Sequence, residues 1–233
     1  PKIGLTLEPG RSHAGEIRFA RIGIADTLPA TDPQAAEAPC RMWSSWAATR
    51  HFPLRPASGH KGRFGHVLLL AGSDGMAGAA ALSATAALRA GAGLVTLGCP
   101  VSLREGLEAK LTEVMVSALP ECPPAQLARS ALEPALELAA GKDVLAVGPG
   151  LGRHAQTREL VLEIVSQTSL PLILDADGLN ALNEEISVLR ARPAPTVLTP
   201  HPGEAARLLG ISAAEINADR VGWARRLAHT ANT

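Results

Sequence analysis

The chain has 233 residues, 46% of them hydrophobic, and its 22 Lys and Arg balance 22 Asp and Glu to a formal charge of zero. A neutral chain with no basic cluster lacks the electrostatic footprint of a nucleic-acid or anionic-membrane binder. With no Tyr and three Phe it also lacks the aromatic platforms that hold single strands.

The length suits one α/β domain with a sizeable core. The longest weakly polar stretch, residues 76–88, is broken by Ser83 and Thr85 and closed by Arg89. It is too short to span a bilayer, and no signal-peptide pattern opens the chain. Cys40, Cys99 and Cys122 are odd in number and show no C-x-x-C spacing. They read as reduced thiols of a cytoplasmic protein.

Residues 1–28 hold two short apolar runs, 2–5 and 16–24, around the turn-rich Glu8-Pro9-Gly10-Arg11-Ser12. Two short strands alone cannot bury a core. Residues 29–39 are rich in Pro and Ala and read as a linker. A leading helix follows over 41–52, with Trp43 and Trp46 on one face.

From His60 the pattern alternates. Strands are expected at 67–70, 94–97, 113–118, 144–147, 172–174 and 196–198. Helices are expected at 76–90, 101–111, 125–140 (with Pro134 as a kink), 156–166, 178–183 and 202–209. Ser212-x-x-Glu215 is a capping-box signature that starts a last helix towards Ala231. Strand and helix in alternation, joined by short connections, predict a mainly parallel sheet with helices on both faces.

Four strand ends carry unusual residues, and the alternation puts all four on one edge of the sheet. The first is Ala71-Gly72-Ser73-Asp74-Gly75-Met76-Ala77-Gly78-Ala79-Ala80. Its small residues allow close backbone approach, and the helix start offers N–H groups to an anion; tight helix–sheet packing explains it equally simply. It is not a Walker A loop, because no Gly-Lys-Ser/Thr follows. The second is Gly148-Pro149-Gly150-Leu151-Gly152, where three glycines in five residues favour a close backbone–ligand approach. The third is Asp175-Ala176-Asp177-Gly178-Leu179-Asn180. Its carboxylates and amide suit hydroxyls or a hydrated magnesium ion, or else helix capping. The fourth is Pro200-His201-Pro202-Gly203-Glu204. Its two prolines stop the strand and hold an imidazole at the edge. Glu204 there is favoured by the helix dipole in any case. One cleft accounts for all four, because open α/β sheets bind ligands at the carboxyl ends of their strands.

HKGRFGHVLLLAGSDGMAGAA (60–80), ALRAGAGLVTLGCP (87–100), VGPGLG (147–152), LDADGLNAL (174–182) and LTPHPGEAARLLG (198–210) occur in this order. Together they resemble the NAD(P)H-hydrate dehydratase family of the ribokinase-like superfamily. The resemblance implies a three-layer ribokinase-like fold for residues 60–233. It implies an ATP- or ADP-dependent, magnesium-requiring dehydration of the S-epimer of NAD(P)H hydrate to NADH or NADPH. Ala77, Gly78, Ala79, Gly150, Gly152, Asp177, Asn180 and His201 would then contact the hydrate. Asp175 and Glu204 would face the metal or phosphate. The implied partners are the hydrate and an adenine nucleotide, with no nucleic acid and no membrane; a homo-oligomer is a further expectation, since family members are often oligomeric.

Residues 1–28 resemble the last strands of the hydrate epimerase domain that precedes the dehydratase in bifunctional members, with 29–59 as linker and leading helix. Epimerase activity is not expected from so little of that domain. The family's Lys-Gly strand, and the Gly-Gly-x-Gly-Asp turn whose Asp is the expected catalytic base, would lie beyond Thr233. A fragment holding the hydrate side of the site is therefore expected. The competing readings are a ribokinase-like kinase of a vitamin-precursor alcohol and a binding remnant without catalysis. His201 stands where such kinases carry Asn, which argues against the first.

Overall fold

A computed structural model of the chain describes residues 5–18, 55–56, 58–183 and 185–233. The chain divides into two units, 1–57 and 58–233. In the first, the turn-rich piece is a single helical turn, Gly10–His13. The expected runs at 2–5 and 16–24 fall mostly outside the described residues. So do the linker at 29–39 and the Trp43/Trp46 face.

The second unit is built on a six-stranded sheet. Its strands are β1 (His66–Leu70), β2 (Leu94–Pro100), β3 (Met115–Leu119), β6 (Val144–Val147), β7 (Leu172–Leu174) and β8 (Thr196–Leu198). The order is β3-β2-β1-β6-β7-β8, and every pairing is parallel. The small antiparallel pair β4 (Glu121–Cys122) and β5 (Gln126–Leu127) lies apart from it.

Side chains alternate across the pleat. Leu69, Ala71, Val95, Leu97 and Cys99 face α1 (Ala77–Ala90) and α2 (Arg104–Lys110). Leu68, Leu70, Leu145, Val147, Leu172 and Leu174 face a larger core. That core is closed by α3 (Leu132–Ala139), α4 (Ala155–Gln167), α5 (Asp177–Leu182), α6 (Pro202–Leu209), α7 (Ala213–Ala218) and α8 (Arg220–Ala231). Among the described residues every buried side-chain nitrogen or oxygen has a hydrogen-bond partner. No described helix is long and apolar enough to cross a membrane.

Two expectations change. The helix expected over 125–140 starts only at Leu132, because Gln126 and Leu127 pair with Cys122 and Glu121. Pro134 is thus the third helical residue, in the first turn, where its missing N–H costs no helical bond and makes no kink. The last helix is two. Asp219 leaves helical geometry (φ −148°, ψ 71°), and its side chain accepts the Gly222 N–H at 2.9 Å to cap α8.

Candidate functional site

The carboxyl ends of β1, β6, β7 and β8 lie side by side on one sheet edge. The chain leaves β1 for β2 on one side, while β6 lies on the other. The β1/β6 boundary is therefore a topological switch point, where the following helices go to opposite faces and open a crevice. The turns there are stitched together: Gly72 N–H donates to the Pro149 carbonyl at 3.0 Å.

At this crevice α1 begins without a side-chain cap, and its first residues are Ala77, Gly78 and Ala79. Nothing lies within 4 Å of where a Gly78 Cβ would point. Uncapped N–H groups beside an open glycine suit an anionic or polar ligand. Gly150 is different. A Cβ there would stand 2.8 Å from Met76 Cβ and 3.1 Å from Ala79 Cβ, with φ already at +64°. Its bareness is demanded by helix packing, where the sequence favoured ligand approach. Gly152 likewise backs onto the Gln126 side chain, whose Oε1 also accepts the His154 N–H at 2.9 Å.

The turn after β7 is strained at Ala176, with φ +47° and ψ −115°. That bend separates its two carboxylates. Asp175 Oδ1 accepts the Thr199 hydroxyl at 2.7 Å. Asp177 turns the other way. Its Oδ2 accepts the Gly152 N–H at 3.0 Å, and its Oδ1 accepts Asn180 Nδ2 at 3.1 Å and Arg153 Nε at 3.4 Å. Asn180 Oδ1 in turn accepts Arg207 Nη2 at 2.8 Å and Nε at 3.2 Å.

His201 caps α6. Its Nδ1 accepts the Gly203 N–H at 3.0 Å, so the ring proton belongs on Nε2, which meets Glu204 Oε1 at 3.1 Å. Glu204 Oε2 accepts the His201 N–H at 2.9 Å, completing a capping box. The Glu204 side chain is 8% exposed and the His201 side chain 62%. The imidazole is thus presented at the edge in one tautomer.

Nine of the ten expected site residues therefore fall into three groups, and Asp175 stands apart from them. Ala77, Gly78, Ala79 and Gly150 gather at the switch point. Gly152, Asp177 and Asn180 line a cavity of about 270 Å³ together with Arg153, Arg158 and Arg207. His201 and Glu204 lock each other at the start of α6. Asp175 stands with Thr199 on a larger apolar cavity of about 710 Å³ on the α1 side of the sheet. Sequence reasoning missed Thr199 and the three arginines. Arg153 directly follows the glycine turn, and Arg207 lies one helical turn after Gly203.

Magnesium is a poor fit to the expected pair. Both Glu204 oxygens are committed to His201, which leaves Asp175 with one engaged oxygen. Among the described residues no three His, Cys, Asp or Glu side chains group to hold a metal ion.

A parallel sheet in this order, with helices on both faces and polar turns at the switch-point edge, defines a doubly wound α/β protein. A ribokinase-like superfamily protein of Enterococcus faecalis superposes with a TM-score of 0.62 at 24% identity, over 76% of this chain and 58% of that one. That match speaks for the fold alone. A family model described as NAD(P)H-hydrate dehydratase matches residues 67–233, and the chain belongs to that family.

The ADP/ATP-dependent NAD(P)H-hydrate dehydratase of Bacillus subtilis, co-crystallised with ATP/Mg2+, superposes with a TM-score of 0.66 at 31% identity. The match covers 82% of this chain and 64% of that one. The bifunctional NAD(P)H-hydrate repair enzyme of Moorella thermoacetica is 47% identical over 228 residues, 98% of this chain and 42% of its own length. Its Escherichia coli counterpart is 37% identical over 97% of this chain and 40% of its own length. The chain spans about two-fifths of the length of the curated relatives it matches.

Proposed function

We propose that this chain serves dehydration of the S-epimer of NAD(P)H hydrate to NADH or NADPH, driven by ATP or ADP. The observation that carries the reading is the presented imidazole of His201. It stands on the same sheet edge as the uncapped start of α1, within a chain of the dehydratase family.

The chemistry needs help with one bond. Hydroxide is a poor leaving group, and phosphorylating the ring hydroxyl lets its oxygen depart as phosphate, with the neighbouring ring proton lost to restore the double bond. The positioning tasks fall to residues described above. The Ala77–Ala79 backbone receives the polar end of the hydrate, and the exposed face of the His201 ring, its two nitrogens held by Gly203 and Glu204, packs against it. Asp177 keeps the Gly148–Gly152 turn in place beneath it. Magnesium, when bound with the nucleotide, would neutralise phosphate charge; of the expected pair only Asp175 is placed to meet it, through water.

The names of the bifunctional relatives support reading residues 1–28 as the end of an epimerase domain, with 29–59 as connection and 60–233 as dehydratase. Cys99 and Cys122 are free thiols, which suits a reducing cytoplasm. A homo-oligomer remains part of the proposal through family resemblance alone.

The test is an absorbance assay for reduced nicotinamide, with the purified protein, S-epimer NADH hydrate, magnesium and ATP. ATP-dependent recovery of the NADH signal is expected from protein that carries the family's Gly-Gly-x-Gly-Asp turn, with loss of hydrate affinity in His201→Ala exceeding loss of ATP affinity. Turnover of a vitamin-precursor alcohol without hydrate turnover would overturn the reading in favour of a kinase.

A further inference from the structure

We infer that the small cavity beneath the Gly148–Gly152 turn is a phosphate subsite, and, resting on the repair reading, that its occupant is a phosphate monoester of the dinucleotide substrate. Its ionisable lining is Arg153, Arg158, Arg207 and Asp177. Three guanidiniums face one carboxylate.

That carboxylate is largely used up. Asp177 is 12% exposed, and its oxygens already hold Gly152, Asn180 and Arg153. Arg207 gives both Nε and Nη2 to the neutral Asn180 Oδ1. Among the described residues it has no carboxylate partner. Arg153 turns only Nε to Asp177, and its terminal nitrogens have no partner among the described residues. Arg158 alone is paired outside the lining, with Glu185.

The lining thus carries an excess of two positive charges, reduced to one by the Arg158–Glu185 pair. A phosphate monoester carries about −1.5 to −2 at neutral pH and matches guanidinium forks bidentately. A cavity of about 270 Å³ is below the usual size for a whole ligand, so it suits one group of a larger molecule. Gly152 and Asp177 tie it to the turn at the switch-point edge. NADP(H) carries a phosphate monoester that NAD(H) lacks, so occupation here would favour the phosphorylated dinucleotide.

The experiment is calorimetric titration of the purified chain with inorganic phosphate, then with NADP+ and NAD+. Arg153→Gln and Arg153→Gln/Arg158→Gln are titrated beside it. Both changes are at partly exposed side chains, and unchanged thermal midpoints check folding. Phosphate binding is expected, weakened about tenfold or more in the double variant, as for one lost charge-assisted hydrogen bond. NADP+ should displace phosphate and NAD+ should not. Phosphate binding that is absent, or indifferent to both variants, overturns the subsite. Arginine-dependent phosphate binding that NADP+ does not displace overturns the dinucleotide as occupant and assigns the pocket to a free anion. The repair reading fails separately, in the nicotinamide assay, whatever the phosphate result.

Discussion

The carboxylate of Asp177 accepts the Gly152 N–H at 3.0 Å, across 25 residues of chain. It ties the turn after β7 to the turn after β6, and Asn180 and Arg153 share its other oxygen. A nearly buried carboxylate doing this is a clamp on the strand-end edge. Asp177→Ala should lower unfolding free energy by about 2–3 kcal/mol, the cost of losing charge-assisted bonds and leaving Gly152 N–H unpaired. Asp177→Asn keeps one acceptor oxygen and should lose less. Urea denaturation of both variants gives the comparison; equal losses would show that the acceptor oxygen kept by Asn contributes nothing and that the charge carries the clamp.

Gly150 separates two explanations of a glycine-rich turn. Gly150→Val would drive side-chain atoms into Met76 and Ala79, from a backbone at φ +64° that valine strongly disfavours. Stability should fall by about 2–4 kcal/mol from overpacking and strain together. Thermal unfolding without ligand is the measurement. An unchanged midpoint would return Gly150 to a role in ligand approach alone.

Much of the frame was legible because it rests on local rules. The β-branched and leucine runs gave the six strands, and Gly91 and Gly210 mark helix ends in the left-handed conformation. Motif order placed the polar turns on one edge. What was not legible depends on contacts distant in sequence. Nothing local to Gln126 says that it pairs into a hairpin and fills the space at Gly152. Nothing local to Arg207 says that it reaches Asn180, 27 residues away. Glu204 was legible as a first-turn carboxylate, but its commitment to the His201 ring appears only once the turn is folded.

His201 carries a structural duty besides its proposed contact with the hydrate. Its Nδ1 and the Glu204 carboxylate form the capping box of α6. His201→Ala should cost about 1–2 kcal/mol through the lost cap and the stranded Glu204 oxygen. Asn is among the best N-cap residues, so His201→Asn should stay within about 0.5 kcal/mol of wild type. Both should lose hydrate affinity. Denaturant midpoints and hydrate titration, run on the same samples, separate the duties. If His201→Asn bound hydrate as wild type does, the imidazole would be a cap and nothing more.

His66 gives the fold a pH dependence of definite sign. Its Nε2 lies 2.8 Å from Thr96 Oγ1, and its backbone N–H donates to Asp143 Oδ2 at 2.7 Å. Burial, then the nearby Lys142 charge, holds the imidazole below its ordinary value, against a smaller opposing pull from Asp143. The unfolded chain therefore takes up this proton at a higher pH than the folded chain. In the window between the two values the unfolded state binds more protons, so stability falls as pH falls. His66 contributes its full share above the ordinary histidine range and loses it on acidification. Chemical denaturation at about pH 8 and about pH 5 should show a smaller acid loss in His66→Gln than in wild type. The other histidines cancel in that difference. Equal acid losses in the two proteins would mean that His66 titrates alike folded and unfolded, and that its place against Thr96 does not favour the neutral ring.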